Sequence, residues 1–176
     1  MTGTEHPPFK VLFLCTGNSA RSIFAEYFLE RLGGRRFEAY SAGASPSGTV
    51  HPTALKVLRE RFHIDASDAR SKSWDELRDV RFDFVITVCD HARETCPVWP
   101  GQPIVAHWGV DDPAAFVGTP VERDRFFYRV ALTLYHRLQL FTSLPLEQLD
   151  RLKLEKVTRD IGRDQVPQLA EEDPVS

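Results

Sequence analysis

Short apolar runs alternate with longer amphipathic segments from residue 9 to residue 141. The short runs are rich in β-branched and aromatic residues and predict strands, the first of them buried on both faces. They span 9–14, 37–41, 82–88 and 103–107. The longer segments carry apolar residues at helical spacing and predict helices. They span 22–32, which ends at Gly33-Gly34, 52–62 and 121–141. Strands separated by helices predict an α/β fold, a three-layer sandwich in which a central parallel four-stranded sheet has helices on both faces.

Pro145 marks a predicted boundary between a domain at 1–144 and a C-terminal extension at 145–176. Within the extension, the segment 146–161 spaces leucines between charges, which predicts a short amphipathic helix. We expect this helix to dock on the domain, and binding to a partner or to another copy is the alternative. The end of the chain, 162–176, is polar, acidic and contains proline, so it is predicted to be loose.

Charge and hydropathy narrow the classes of partner. The net charge of −3 argues against nucleic acid as the main partner. No apolar stretch approaches the roughly 20 residues of a membrane span, and the N-terminus lacks the regions of a signal peptide. We therefore expect a cytoplasmic protein with no membrane partner.

Cys15 and Arg21 bracket a loop between the first predicted strand and the first predicted helix. Such a loop presents backbone N–H groups to one point, and the helix dipole favours negative charge there. We expect Cys15 to be driven toward its thiolate and Arg21 to bind a tetrahedral oxyanion with its planar fork. The predicted oxyanion-binding residues are Thr16, Gly17, Asn18, Ser19, Ala20, Arg21 and Ser22.

Individual loop residues suit this chemistry. Gly17 permits close approach of the backbone, and Asn18 and Ser19 can brace the loop. Ser22 can donate a hydrogen bond to the Cys15 sulfur. The alternative is a buried structural cysteine beside a surface arginine.

Asp112-Pro113 supplies a candidate general acid, because displacement at an oxyanion must protonate the leaving oxygen. An ordinary Asp-Pro turn is the alternative, and the nearby thiolate and arginine favour catalysis. Asp111 is predicted only to cap or brace this loop.

Cys89 and Cys96 complete the set of three cysteines. Cys89 follows a strand and is expected at the same sheet edge as Cys15. Zinc binding with His91, passive burial and a thiol relay with Cys15 are the competing interpretations. An intact helix would separate Cys89 from Cys96 by about 10 Å along its axis. A disulfide needs Cα atoms within about 7 Å, so the segment would have to unwind to form one.

Several motifs recur together in one known family. They are the segment Cys15 to Ser22, Ser41-Ala42-Gly43, Thr87-Val88-Cys89, Cys96-Pro97 and the segment His107 to Pro113. With them the chain resembles the thioredoxin-coupled arsenate reductases, which share the low-molecular-weight protein tyrosine phosphatase fold. The resemblance covers about residues 9–142. The first motif fits both branches, whereas the Cys89/Cys96 pair and the His-Trp-Gly segment are specific to the reductases.

The resemblance implies a reaction and its partners. Cys15 attacks arsenate held by Arg21, and Asp112 protonates the departing oxygen. Cys89 then attacks Cys15, which releases arsenite, and Cys96 attacks Cys89 to leave a Cys89–Cys96 disulfide that thioredoxin reduces. Phosphate and sulfate are the expected substrate analogues, and no cofactor or metal is expected.

Two departures from the family pattern bear on the site. Ala20 stands where many relatives carry a further cysteine, so the loop holds a single thiol. Some relatives bind a monovalent cation with residues equivalent to Asn18, Glu26, Ser41 and a carboxylate, whose position here falls on Lys72. We hypothesise that the Lys72 ammonium replaces the cation and pairs with Glu26. A solvated surface lysine is the alternative.

Two other functions fit part of the pattern. A phosphatase for phosphotyrosine or a small ester would use the same thiolate, arginine and acid. That branch usually has aromatic residues after its Asp-Pro, whereas Pro113 is followed by Ala114-Ala115-Phe116. A redox sensor, switched by oxidation of Cys89 and Cys96, would show no multiple turnover.

Overall fold

The computed structural model describes residues 6–163 and contains a parallel four-stranded sheet between helices. The strands are β1 (Phe9–Cys15), β2 (Phe37–Gly43), β3 (Phe84–Thr87) and β4 (Ile104–His107), in the order β2-β1-β3-β4. The predicted fold class is confirmed, but β3 is shorter than predicted. The Phe82 ring packs edge-on against Trp99 instead of joining the ladder, and Val88 donates to the Leu14 carbonyl beyond the last paired residue.

The order of the strands determines where a ligand can enter. The chain moves from β1 to one neighbour, β2, and later forms β3 on the other side of β1. The loops that follow β1 and β3 therefore run in opposite directions and leave a crevice between them. Open α/β sheets bind ligands at such a crevice, where the strand order reverses. Cys15 ends β1, and Leu14 pairs in register with Thr87, two residues before Cys89.

Residues 6–163 contain five α-helices, and those predicted at 22–32, 52–62 and 121–141 are observed at equal or greater length. The five helices are α1 (Arg21–Gly33), α2 (Pro52–Phe62), α3 (Asp90–Thr95), α4 (Pro120–Ser143) and α5 (Arg151–Arg163). A capping box in which Thr119 and Glu122 exchange hydrogen bonds begins α4. Buried aromatic rings join α1 to α4, with Phe28 and Tyr135 edge-on at 5.1 Å. This packing holds the start of α1, and with it the Cys15–Arg21 loop, against the sheet.

The extension forms a helix that covers the β4 edge of the sheet. The C-terminal helix predicted for 146–161 is confirmed, but it begins at Arg151, because a short 3-10 turn at Leu146–Gln148 precedes α5. The Asp150 side chain accepts the Lys153 N–H and caps the new start. The Thr158 carbonyl accepts the buried Trp108 indole N–H at 2.9 Å, so the predicted docking of this helix is confirmed.

The predicted loose tail overlaps the structure only at its start. Gly162 and Arg163 belong to α5, which corrects that prediction for these two residues. Residues 164–176 lie outside the described part of the chain. Within residues 6–163, no helix combines the length and apolarity that crossing a membrane requires.

Candidate active site

A neighbouring segment, residues 44–51, holds the Cys15–Arg21 loop by hydrogen bonds to the carbonyl groups of the loop. Its main-chain N–H groups donate to the carbonyls of Cys15, Thr16, Gly17 and Ser19, at 2.9 to 3.1 Å. We call this segment the strap. In a trans peptide the C=O and N–H groups point in opposite directions. Because the loop carbonyls point toward the strap, the N–H groups of the same peptides point toward the interior of the loop. The strap therefore fixes the backbone of the loop through main-chain hydrogen bonds alone.

Gly43 is the glycine that the loop requires. A Cβ added there would lie 2.5 Å from the Thr16 carbonyl oxygen and 3.1 Å from Asn18. At Gly17, by contrast, a Cβ would meet only the Ser19 hydroxyl at 3.6 Å, an ordinary contact. Asn18 itself adopts φ of 48°, a left-handed conformation that asparagine tolerates better than most residues. Close packing of the loop backbone against its neighbours therefore depends on Gly43.

Cys15 is almost completely buried, and its sulfur has two hydrogen-bonding neighbours. The Ser22 hydroxyl lies 2.9 Å from Sγ, and the Asn18 N–H donates to Sγ at 3.2 Å. Burial raises the pKa of the Cys15 thiol, and Ser22, the Arg21 charge and the Asn18 N–H offset that rise only in part. Ser22, Arg21 and Asn18 thus act in the direction the sequence predicted, toward the thiolate, while desolvation acts against it.

A hydrogen-bond network behind the loop includes the predicted bracing residues. The Asn18 amide nitrogen donates to Ser22 Oγ at 2.7 Å and to Ser41 Oγ at 3.0 Å. Its amide oxygen accepts the Lys72 main-chain N–H at 2.9 Å, which fixes the orientation of the amide. Ser41 in turn donates to the Glu26 carboxylate.

Lys72 joins this network through its backbone and not through an ion pair. Its ammonium group donates to the Arg70 carbonyl at 3.2 Å, so the hypothesised pairing with Glu26 is wrong. The flexible side chain reaches the nearby carbonyl instead, and the ammonium acts on Glu26 only at longer range. Burial raises the pKa of Glu26, while the Ser41 hydrogen bond and the Lys72 charge lower it less.

Arg21 and Asp112 meet at the mouth of the loop. An Arg21 nitrogen lies 3.5 Å from the Asp112 carboxylate, and another donates to the Val110 carbonyl at 3.4 Å. Asp112 also accepts the Ala114 N–H at 3.0 Å, so the capping role expected of Asp111 belongs to Asp112. The Asp112 side chain is 44% exposed and borders a cleft of about 520 Å³ that also reaches Gly162 of α5.

Cys89 lies beside the loop, and Cys96 lies at the far end of a short helix. Cys89 Sγ is 3.3 Å from Thr16 Oγ1 and accepts the Ala92 N–H at 3.4 Å, which caps α3. Cys96 follows the last residue of α3 and is half-buried; burial raises the pKa of its thiol and the Trp99 indole lowers it. All the cysteines are free thiols. As predicted from spacing, an intact helix separates Cys89 from Cys96.

With the geometry established, sequence comparison identifies the family. A family profile described as low molecular weight phosphotyrosine protein phosphatase matches residues 10–148. The chain belongs to this family. An arsenate reductase of Halalkalibacterium halodurans is 39% identical over 133 residues, which cover 76% of this chain and 94% of the relative.

Solved structures of the family have the same fold. One described as an arsenate reductase in the phosphate binding state is 31% identical, with a TM-score of 0.65, and covers 77% of this chain and 97% of its own. A thioredoxin-dependent arsenate reductase of Corynebacterium glutamicum is 30% identical, with a TM-score of 0.54, and covers 78% of this chain and 65% of its own. The predicted superfamily is therefore confirmed.

A series of side-chain hydrogen bonds centred on His107 was not predicted. His107 Nδ1 lies 2.8 Å from Thr87 Oγ1, and His107 Nε2 lies 3.0 Å from the Asp90 carboxylate. It ties the end of β4 to the end of β3 and the start of α3. The His-Trp-Gly motif marked His107 as a residue of interest, but the sequence does not show which side chains the imidazole contacts. Among residues 6–163, no three His, Cys, Asp or Glu side chains gather as metal ligands would.

Proposed function

We propose that this protein reduces arsenate to arsenite and passes the oxidising equivalents through its three cysteines to thioredoxin. The Cys15 thiolate bonds to arsenic, and a hydroxyl leaves as water after Asp112 supplies a proton. Cys89 then attacks Cys15 Sγ, the sulfur–arsenic bond breaks, and its electron pair stays on arsenic as arsenite. Cys96 attacks Cys89 and frees Cys15. Thioredoxin reduces the resulting Cys89–Cys96 disulfide.

The first step is supported by the arrangement of Arg21, Asp112 and the loop. Arg21 contacts the Asp112 carboxylate at 3.5 Å, a long and partly exposed ion pair of small energy. A bound oxyanion offers Arg21 a better bidentate partner, and that exchange would release Asp112 to act as the acid. Arsenate, with phosphate and sulfate as analogues, has the charge and tetrahedral shape for this loop.

The approach of Cys89 to Thr16 is the observation that carries the proposal. Cys89 Sγ lies 3.3 Å from the hydroxyl of Thr16, the residue next to Cys15. A phosphatase reaction needs no second thiol at this position. A reductase needs one within reach of the first, because the sulfur–arsenic bond must be broken by attack on sulfur.

Passing the disulfide to Cys96 requires α3 to unwind. Cys89 and Cys96 flank the six residues of α3, whose ends are too far apart for a disulfide. The helix is short and five of its residues are exposed, so little buried surface opposes its opening. Unwinding would carry Cys96 to Cys89 and expose the new disulfide to a reductant. The thioredoxin-dependent relative supports thioredoxin in that role.

A coupled assay tests each thiol in turn. Arsenate, thioredoxin, thioredoxin reductase and NADPH are supplied, and NADPH loss is followed for the wild type and for Cys15→Ser, Cys89→Ser and Cys96→Ser. Turnover by the wild type, abolished by each substitution, is expected. In a single-turnover reaction, Cys96→Ser should still release arsenite and trap a Cys15–Cys89 disulfide, whereas Cys89→Ser should release none. Wild-type protein that binds arsenate without turnover would contradict the proposal.

A phosphatase is the second candidate, supported by the shared thiolate, arginine and acid. Here the aromatic residue after Asp112-Pro113 does not stand free, because the Phe116 ring stacks on Phe126 at 5.1 Å. Ester hydrolysis lost in Cys15→Ser but kept in Cys96→Ser, together with no arsenate turnover, would favour the phosphatase. A redox sensor would show neither arsenate turnover nor ester hydrolysis.

A further inference from the structure

A buried arginine on α4 faces a cavity behind the loop that carries Asp112. Arg137 is 7% exposed, and its Nη1 donates to the Gly109 carbonyl at 3.2 Å. Its Nε is buried and has no hydrogen-bond partner in the described chain. Among residues 6–163, no carboxylate lies within ion-pair distance of its guanidinium.

The cavity has a volume of about 240 Å³ and two unlike walls. One wall is formed by residues 109–111, which also line the cleft that contains Arg21 and Asp112. The other wall is a stripe at helical spacing on α4, formed by Phe126, Val130, Thr133 and Arg137. The space is therefore apolar along most of α4 and cationic at the Arg137 end.

The Arg137 guanidinium is a buried charge without an acidic partner, and part of it is left to bind a ligand. Burying an unpaired cation is unfavourable, so proteins normally provide an anion or a hydrogen-bonding partner. Because Nη1 is already engaged by Gly109 and Nε is buried within the packing, Nη2 is the guanidinium nitrogen that remains to donate a charge-assisted hydrogen bond to a carboxylate. Arg129 at the cavity rim adds positive charge, and Asp111 is the one acidic group in the lining.

We propose that this cavity binds a small organic carboxylate, with the carboxylate on the Arg137 Nη2–H and the apolar body against Phe126 and Val130. The apolar wall favours an alkyl or aryl carboxylate over an inorganic oxyanion, which would leave that wall unmatched. Cys15 and the residues of its loop do not line this cavity, and the proposal does not depend on arsenate being the substrate.

Titration of the full-length protein with sodium benzoate, followed by ¹H–¹⁵N NMR, tests the site directly. Benzoate has the required carboxylate and apolar body, and the signal of the Arg137 Nε–H, on the same guanidinium as Nη2, reports the proposed contact. We expect a saturable shift of that signal and of the Val110 and Asp111 amides. Sodium sulfate is titrated in parallel.

Three variants identify the contact. Arg137→Gln removes the cation and Thr133→Trp fills the cavity, so each should weaken benzoate binding by about tenfold or more. Arg125→Gln removes an exposed α4 charge outside the cavity lining and should leave the affinity unchanged. If Arg137→Gln does not fold, Thr133→Trp decides alone.

Several results would overturn the proposal. They are the absence of a saturable benzoate shift, shifts confined to residues 15–21, and binding that survives Thr133→Trp unchanged. Sulfate that saturates the Arg137 signal as readily as benzoate would exclude an organic carboxylate as the preferred class. An Arg137 Nε–H signal that responds to no anion would show that the group is merely hydrated.

Discussion

Asn18 donates its side-chain amide to the Ser22 hydroxyl at 2.7 Å, and this bond determines where the Ser22 proton points. The amide orientation is set by the Lys72 N–H, which can only donate to the Asn18 oxygen. Since Ser22 Oγ already accepts from Asn18, its own proton is free for the Cys15 sulfur 2.9 Å away. A network rooted in β2 and in residue 72 therefore orients a donor toward the nucleophile.

Removing that donor should slow reactions of Cys15. Burial raises the pKa of Cys15 and the Ser22 hydrogen bond opposes that rise, so Ser22→Ala should shift the pKa further upward. A hydrogen bond to a charged group contributes about 1.5–3 kcal/mol, so reaction at neutral pH should fall about tenfold or more. The measurement is the pH profile of Cys15 alkylation in a protein that lacks Cys89 and Cys96.

Ser45→Ala is the matched control for this prediction. Ser45 is exposed and contacts the loop through its main-chain N–H, which the substitution retains. Its alkylation profile should coincide with that of the parent. A Ser22→Ala profile unchanged from the parent would show that the hydroxyl does not stabilise the thiolate.

Glu26 should make the stability of the fold depend on pH. Burial raises its pKa in the folded state, so the folded form favours the protonated acid. Stability from this group is present below the ordinary pKa near 4.5 and is lost as pH rises through the folded value. Glu26→Gln should therefore stabilise the protein relative to the wild type at pH 7, with little difference at pH 4. Urea unfolding at both pH values measures this.

Lys72→Met should have the opposite effect at pH 7. The Lys72 charge lowers the pKa of Glu26, so its removal leaves the ionised carboxylate less stable. The loss should vanish at pH 4 and in the Glu26→Gln background. A loss that persists in that background would mean that Lys72 acts through other contacts.

The nucleophile loop could be predicted because its signal is contiguous in the sequence. Cys15, Arg21, the preceding strand and the following helix together predict an anion-binding loop, and Ser22 contacts Cys15 because the loop returns the start of α1 to the end of β1. The shared sheet edge of Cys15 and Cys89 also followed from strand patterns. Their actual closeness depended on β3 pairing directly with β1, which no local pattern encodes.

Features that depend on burial depth or on main-chain contacts could not be predicted. The strap binds the loop carbonyls with backbone N–H groups, and nearly any residue could supply these. The rise in the pKa of Cys15 depends on how completely the fold removes it from water. Whether the Lys72 ammonium would contact Glu26 or the Arg70 carbonyl depended on the conformation of a flexible side chain.

Gly43→Ala should damage the loop more than Gly17→Ala. A Cβ at Gly43 meets backbone atoms of the loop, the Thr16 oxygen at 2.5 Å first, and these cannot move without disturbing the strap. Overpacking of this kind costs about 1–3 kcal/mol of unfolding free energy. Gly17→Ala, whose Cβ meets only the Ser19 hydroxyl at 3.6 Å, should stay within about 1 kcal/mol. Denaturant unfolding of both variants provides the comparison, and equal losses would contradict it.

Gly162 should be required for α5 to dock on the sheet edge. A Cβ there would lie 2.2 Å from the His107 carbonyl oxygen and 2.6 Å from the Trp108 ring. Alanine favours a helix over glycine by about 1 kcal/mol, so propensity alone predicts that Gly162→Ala is stabilising. We expect the opposite, a loss of about 1–3 kcal/mol, because the contact forces α5 away from β4.

Hydrogen exchange at the Trp108 indole separates docking from helix propensity. Its N–H donates to the Thr158 carbonyl at 2.9 Å and should exchange faster in Gly162→Ala, because displacement of α5 opens that bond. Lys153→Ala, at an exposed α5 position, is the control and should leave the exchange rate unchanged. Because Gly162 also borders the cleft that contains Arg21 and Asp112, displaced α5 should lower turnover in the arsenate assay. Unchanged exchange together with increased stability in Gly162→Ala would mean that α5 tolerates the added methyl group and that close packing at Gly162 is not what holds the helix.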